Sequence, residues 1–127
     1  MASDNPVFIN GKTAAGDISS YQYYLVKRGT GNDIAVCSGA TDIPIGVLYD
    51  KPDADGEPAQ VAALAVGHKI KVKVGAAGVT ATWVGTDASG LLVDKDTDKQ
   101  YAIGVCTQSW DSGDIAIVEP APGFLAV

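Results

Sequence analysis

A chain of 127 residues is long enough to close one hydrophobic core without disulfides or a structural metal, and 15 glycines and 6 prolines break its apolar runs into short segments between tight turns, the pattern of an all-β domain. Nine Lys and Arg against fifteen Asp and Glu give a net charge of −6, which leaves no basic excess for phosphate contacts and argues against nucleic acid as a direct partner. The longest apolar run, Val61-Ala62-Ala63-Leu64-Ala65-Val66, falls far short of the roughly 20 residues of a membrane-spanning helix, so no membrane partner is expected, and Met1 to Pro6 lacks both regions of a signal peptide.

Residues 1–20 read as an extended N-terminal arm, in which small and polar types surround one apolar island, Val7-Phe8-Ile9, followed by the turn dipeptide Asn10-Gly11. The island is either the first strand of the domain or a strand that pairs with a sheet edge on a neighbour. From Asp17 a helix competes, because Asp17 can cap it and Ile18, Tyr21 and Leu25 share a helical face. The aromatic and β-branched run Tyr23-Tyr24-Leu25-Val26 instead predicts a strand from about Tyr21. Gly29 to Asp33 turns the chain, and Ile34 to Cys37 returns as the next strand. In Ile45-Gly46-Val47 a glycine between apolar β-formers marks a bulge or the close approach of another backbone.

Gln60 to Val74 is the longest β-patterned run: Leu64, Val66, His68, Ile70, Val72 and Val74 share one parity, and Lys69, Lys71 and Lys73 share the other. Period two predicts one strand, bent at Gly67, with a solvated lysine face; a lysine row also suits an acidic patch on a partner. Further strands are expected at Val79 to Val84, Leu91 to Val93, Gln100 to Cys106 and Asp114 to Val118. Pro120 and Pro122 should end regular pairing. The β domain then spans 21–119, and residues 120–127 form a tail whose Phe124, Leu125 and Val127 need a surface to cover them.

The middle of the chain states one pattern twice. Ile34-Ala35-Val36 begins eleven residues before Ile45-Gly46-Val47, and Leu92-Val93-Asp94 begins eleven before Ile103-Gly104-Val105. An acidic, glycine-containing turn and another apolar strand follow each copy. Both copies read as hairpins within a repeated unit that closes a small β-barrel or β-sandwich. The expected core is Val26, Ile34, Val36, Ile45, Val47, Ile70, Val72, Val93, Ile103, Val105, Ile115 and Ile117.

Residues able to carry catalysis are sparse. His68 is the single histidine, which excludes a multi-histidine metal site within one chain, and its parity makes it a half-buried strand residue. Cys37 and Cys106 sit beside valines in strand-like runs and read as buried reduced thiols. Asp94-Lys95-Asp96-Thr97-Asp98 begins like a calcium loop, but Lys99 stands where glycine is required and Val105 where the bidentate glutamate belongs; Asp53-Ala54-Asp55-Gly56 fails at Lys51 and Ala62. Both are read as solvated turns. With no phosphate-binding glycine loop and no nucleophile motif, no residue is assigned to catalysis, cofactor or metal, and the expectation is a protein that is not an enzyme.

The strand pattern resembles the capsid decoration, or head cement, proteins of tailed bacteriophages. The resemblance lies in Tyr24-Leu25-Val26-Lys27, Ile34-Ala35-Val36, Ile45-Gly46-Val47-Leu48-Tyr49-Asp50-Lys51-Pro52 and Gly56-Glu57-Pro58-Ala59-Gln60-Val61-Ala62. It continues through the small-residue stretch from Gly75 to Thr86, then Asp87-Ala88-Ser89-Gly90 and Ile103-Gly104-Val105, covering roughly Tyr24 to Val118. It implies an all-β virion protein that binds the outside of the assembled head, commonly as trimers, and stabilises the shell without catalysis. It also implies synthesis in the host cytoplasm and the major capsid protein as partner. On that reading Val7, Phe8, Ile9, Phe124, Leu125 and Val127 are the expected partner contacts. The alternative is a small β-domain that binds a receptor or carbohydrate, as in a tail fibre or spike, through Trp83, Trp110 and the tyrosines.

Overall fold

The computed structural model describes residues 4–76, 83–106, 108 and 110–126. They form a β-sandwich of two sheets, with no helix among the described residues. The first sheet takes every strand of the first half of the chain: β1 (Phe8–Ile9), β2 (Thr13–Ala14), β3 (Leu25–Arg28), β4 (Asp33–Val36), β5 (Gly46–Leu48) and β6 (Val61–Ala63), in the order β1-β6-β5-β3-β4-β2. The second takes the rest: β7 (Ile70–Lys73), β8 (Trp83–Thr86), β9 (Leu92–Asp94), β10 (Tyr101–Val105) and β11 (Ile115–Phe124), in the order β7-β11-β10-β8-β9. A parallel bridge between Val74 and Leu92 brings the two edges of the second sheet together at one end without closing a barrel.

The repeated pattern is a repeated topology. In the first sheet β3 and β4 form a hairpin, β5 lies on the other side of β3, and β6 pairs with β5. In the second, β8 and β9 form the hairpin, β10 lies on the other side of β8, and β11 pairs with β10. The two Ile-Gly-Val segments therefore occupy equivalent strands. The expected hairpins are corrected, however: the strand preceding each Ile-Gly-Val is separated from it by an older strand that runs between them. Both glycines serve close backbone approach. A Cβ on Gly46 would run into the carbonyl oxygen of Ala62, and one on Gly104 into that of Glu119.

The first sheet is buried on both faces. Leu25, Val47 and Ala62 face the second sheet and pack with Ile70, Val72, Val84, Leu92, Ile103 and Val118. Their neighbours Val26, Leu48 and Val61 face the other way and pack with Ala14, Ile18, Ile34 and Ala59 in a second core. The extended N-terminal segment provides that cover: β2 pairs in parallel with β4, and Ala14 and Ile18 are buried. Full burial of a side chain the size of Ile18 contributes about 1.5–3 kcal/mol.

Several expected boundaries move for identifiable reasons. The strand predicted from Tyr21 begins at Leu25, because Tyr23 holds a φ of 70°. In that conformation its N–H donates to Leu48 O and its carbonyl accepts from Lys73 N, which joins the two sheets. Gln60 to Val74 is two strands, since the chain leaves the first sheet after Ala63, turns through Gly67 at a φ of 87°, and enters the second as β7. Within β7 the predicted alternation holds, with Ile70 and Val72 buried and Lys71 and Lys73 outward. Of the expected strand at Val79 to Val84, residues 79–82 lie outside the described residues.

Pro120 and Pro122 do not end pairing, and β11 continues to Phe124. Its partner β7 reaches only as far as Val118, so beyond that point one side of β11 is open, the setting in which a strand accepts residues lacking an N–H. The core differs from expectation where both parities are apolar. Ala116 and Val118 point inward, while Ile115 and Ile117 pair with Lys73 and Lys71 on the outer face. Leu92 is buried in place of Val93, and Val36, Ile45 and Val105 are only half-buried. Lys95, expected in a solvated turn, is 4% exposed.

Candidate partner-binding surface

At the first terminus, β1 pairs with the edge of its own sheet, Phe8 opposite Ala62 and Ile9 opposite Val61, and Ala63 N donates to Val7 O at 2.7 Å. The island is thus the first strand of the domain. Ile9 packs on the second core, and Val7 and Phe8 are exposed. The Phe8 ring meets Tyr49 edge-on at 5.5 Å, and Tyr49 meets Tyr23 at 5.3 Å. The Tyr49 hydroxyl donates to Asp4 Oδ2 at 2.8 Å and accepts from Lys71 N at 2.7 Å. Burial, with the Asp4 carboxylate beside it, pushes this phenol above its usual range.

Asn5 ties the same end to the turn before β7. Its N–H donates to Lys69 O at 3.0 Å, its amide to Gly67 O at 3.3 Å, and its Oδ1 accepts from Lys69 N at 2.6 Å. His68 Nδ1 lies 3.1 Å from the Asn5 carbonyl, which places this half-buried residue in a turn instead of the expected strand. Beside this pinned turn stands Val66, 78% exposed.

At the other terminus, Phe124 pairs with Tyr101 and their rings meet edge-on at 5.1 Å. Leu125 is half-buried and bonded in both directions, to Gln100 O and from Lys99 N, at 2.8 Å each. Phe124 itself is 63% exposed. Val127 lies outside the described residues. The two expected contact sets are not brought together: the first belongs to the edge of one sheet and the second to the far end of a strand in the other.

Sequence reasoning missed two residues of this surface, Val66 and Trp83. The register sets Val105 opposite both Trp83 and Glu119, which puts the three on one outer face. A cleft of about 240 Å³ opens between Val66, Val105 and Pro120, with Lys69 and Glu119 at its rim 4.0 Å apart. A second of about 280 Å³ continues past Trp83 along residues 121–126. The signal available in the sequence was the strict alternation before the lysine row, which leaves Val66 apolar on a turn.

The remaining candidates are engaged within the chain. Lys71 stands 3.7 Å from Asp4 and over the Tyr23 ring, and Lys73 stands over Tyr24. Cys37 and Cys106 are free buried thiols, and burial pushes them up to about 11 and about 12, the opposite of what a nucleophilic cysteine requires. In the aspartate-rich turn, Gln100 Oε1 accepts from Asp96 N and Thr97 N, and Thr97 Oγ1 donates to Asp96 Oδ1. Among the described residues no group of three His, Cys, Asp or Glu is placed to hold a metal ion.

These features define a two-sheet β-sandwich that displays apolar side chains along one sheet's outer face and at both ends. No protein-family model matches the sequence, nor does any curated protein. Among solved structures the chain is similar to the head fiber gp8.5 N base of bacteriophage phi29, with a TM-score of 0.70 over 95% of this chain and 98% of that one, at 18% identity. The likeness is one of fold.

Proposed function

We propose that this chain is a structural protein of a phage head that binds the outside of the shell and stabilises it without catalysis. The observation that carries the reading is the near full-length likeness to a head fiber base. The exposed apolar residues at both ends support it, since a chain that acts by attachment needs surface to bury. In this reading the major capsid protein is the partner, the protein is made in the host cytoplasm, and it attaches as a homotrimer. Val7, Phe8, Phe124 and Leu125 supply contacts, and avidity makes modest single sites durable.

Cosedimentation with undecorated heads tests this. Saturable binding is expected, together with a higher temperature of head disruption, and Phe8→Asp and Phe124→Asp should each weaken binding by about tenfold or more. Heads that neither bind the chain nor gain heat resistance would overturn the reading. The second reading, a receptor- or carbohydrate-binding domain, is favoured by the fiber in the description of the similar structure and by the exposed Trp83. Binding to host cells or to a glycan panel, lost in Trp83→Ala, would support it.

A further inference from the structure

We propose that the outer face of the second sheet, from Val66 across Val105 and Trp83 to Phe124, is where a second copy of this chain docks. The proposal rests on the homo-oligomer reading above and replaces the termini as its main contact. The argument begins from the repeated topology. The two four-strand paths are equivalent, and the outer face of the first is covered by the N-terminal segment, which closes a core over Val26, Leu48 and Val61. Among the described residues no segment does the same for the second, whose outer face carries half-buried Val105, Ile115 and Ile117 and exposed Trp83.

Charge favours a like partner on this face. Each copy carries −6, so two copies repel unless they meet where that charge is absent. The charged residues lining the Val66 cleft are Lys69 and Glu119, which pair with each other at the rim and leave the centre apolar. The open side of β11 gives the contact its form. Pro120 and Pro122 lack the N–H groups that would add a further strand there, so copies meet through side chains in one fixed geometry. Trp83 and Phe124 are the large aromatic surfaces such a contact would bury.

Sedimentation equilibrium of the full chain, alone, tests this with Val66→Asp and Trp83→Ser beside the parent. Val66 is almost wholly solvated, so its variant should keep the parent's circular dichroism and melting at low concentration. Reversible self-association of the parent is expected, weakened about tenfold or more in each variant. A parent that stays monomeric at several hundred micromolar overturns the proposal, as do variants that associate like the parent. A monomeric parent whose head binding is lost in Val66→Asp would assign the face to the shell, and also overturns it. The two readings fail separately: a monomer that binds heads refutes only this proposal, and an oligomer that ignores heads refutes only the head reading.

Discussion

The ammonium of Lys95 donates to the carbonyl oxygen of Ala40 at 3.1 Å, from a side chain almost wholly removed from water. Lys95 lies in the connection between β9 and β10, and Ala40 in the equivalent connection between β4 and β5, so the bond joins the same point of the two repeats. Gly85 makes the room, since a Cβ there would stand 3.0 Å from Lys95 Cγ. Burial lowers the lysine's proton affinity, partly offset by Asp87. The stem fills space and the charge is poorly solvated, so the two should separate on mutation. Lys95→Ala should lower stability by about 2–4 kcal/mol, while Lys95→Met should stay within about 1.5 kcal/mol of the parent or exceed it, measured by urea unfolding. Equal losses would show that the bond to Ala40 outweighs the packing.

Gly46 and Gly104 should respond alike. In each, an added methyl meets backbone that cannot swing aside, so Gly46→Ala and Gly104→Ala should each cost about 1–3 kcal/mol or more. Gly123, on a strand paired with that of Gly104, has open space and serves as the control: Gly123→Ala should fall within about 0.5 kcal/mol of the parent. Thermal melts of the three variants would decide it.

The outer core of the first sheet gives a third test. Ile18→Ala should cost about 2–5 kcal/mol, although Ile18 lies in a stretch of small and polar residues. Phe8→Ala, at a two-residue edge strand with an exposed ring, should cost far less. If both variants melt with the parent, the N-terminal segment is not the cover the packing indicates.

Stability should fall at alkaline pH. Unfolded thiols ionise near about 8.5, whereas Cys37 and Cys106 hold their protons to about 11 and about 12. Below that window both states are protonated. As pH rises through it the unfolded chain loses protons first, so the thiols' contribution, complete below the unfolded value, is progressively lost. The Tyr49 phenol acts in the same direction at higher pH, and Lys95, its affinity lowered, acts in the opposite one. Melting temperature followed from pH 8 to 11 should drop less steeply in a Cys37→Ala, Cys106→Ala double variant; parallel curves would count against burial of the thiols.

What was legible in the sequence was whatever alternation states locally. Lys69, Lys71 and Lys73 announce an outward face by parity alone, and the doubled Ile-Gly-Val announces equivalent strands. Pairing partners were not legible, because spacing gives the separation of β4 and β5 but not that β3 lies between them. Parity also fails where both registers are apolar, so Ala116 lost to Ile117 on size although cross-strand lysines turn Ile117 outward. Lys95 was misread because composition assigns lysine to solvent, and only Gly85 on a distant strand makes its burial possible. Of the contact surface, Phe8 and Phe124 stood out as surplus apolar residues, while Val66 and Trp83 became visible only once a turn and a register placed them outside.

The division of the sheets along the chain has a consequence for its birth. Every strand of the first sheet lies before Val66 and every strand of the second after it, so a ribosome completes one sheet before it begins the other. The early half can shut its outer side at once with Ala14 and Ile18, but its inner side, with Leu25 and Val47, has nothing to pack on until β7 to β11 emerge. For that interval the nascent protein is half closed and adhesive, and synthesis at about 5–20 residues per second sets how long it stays so. A fragment ending at Val66 should accordingly bind a hydrophobic dye such as ANS strongly and the complete chain weakly, and equal dye binding by the two would show that the first sheet does not form alone.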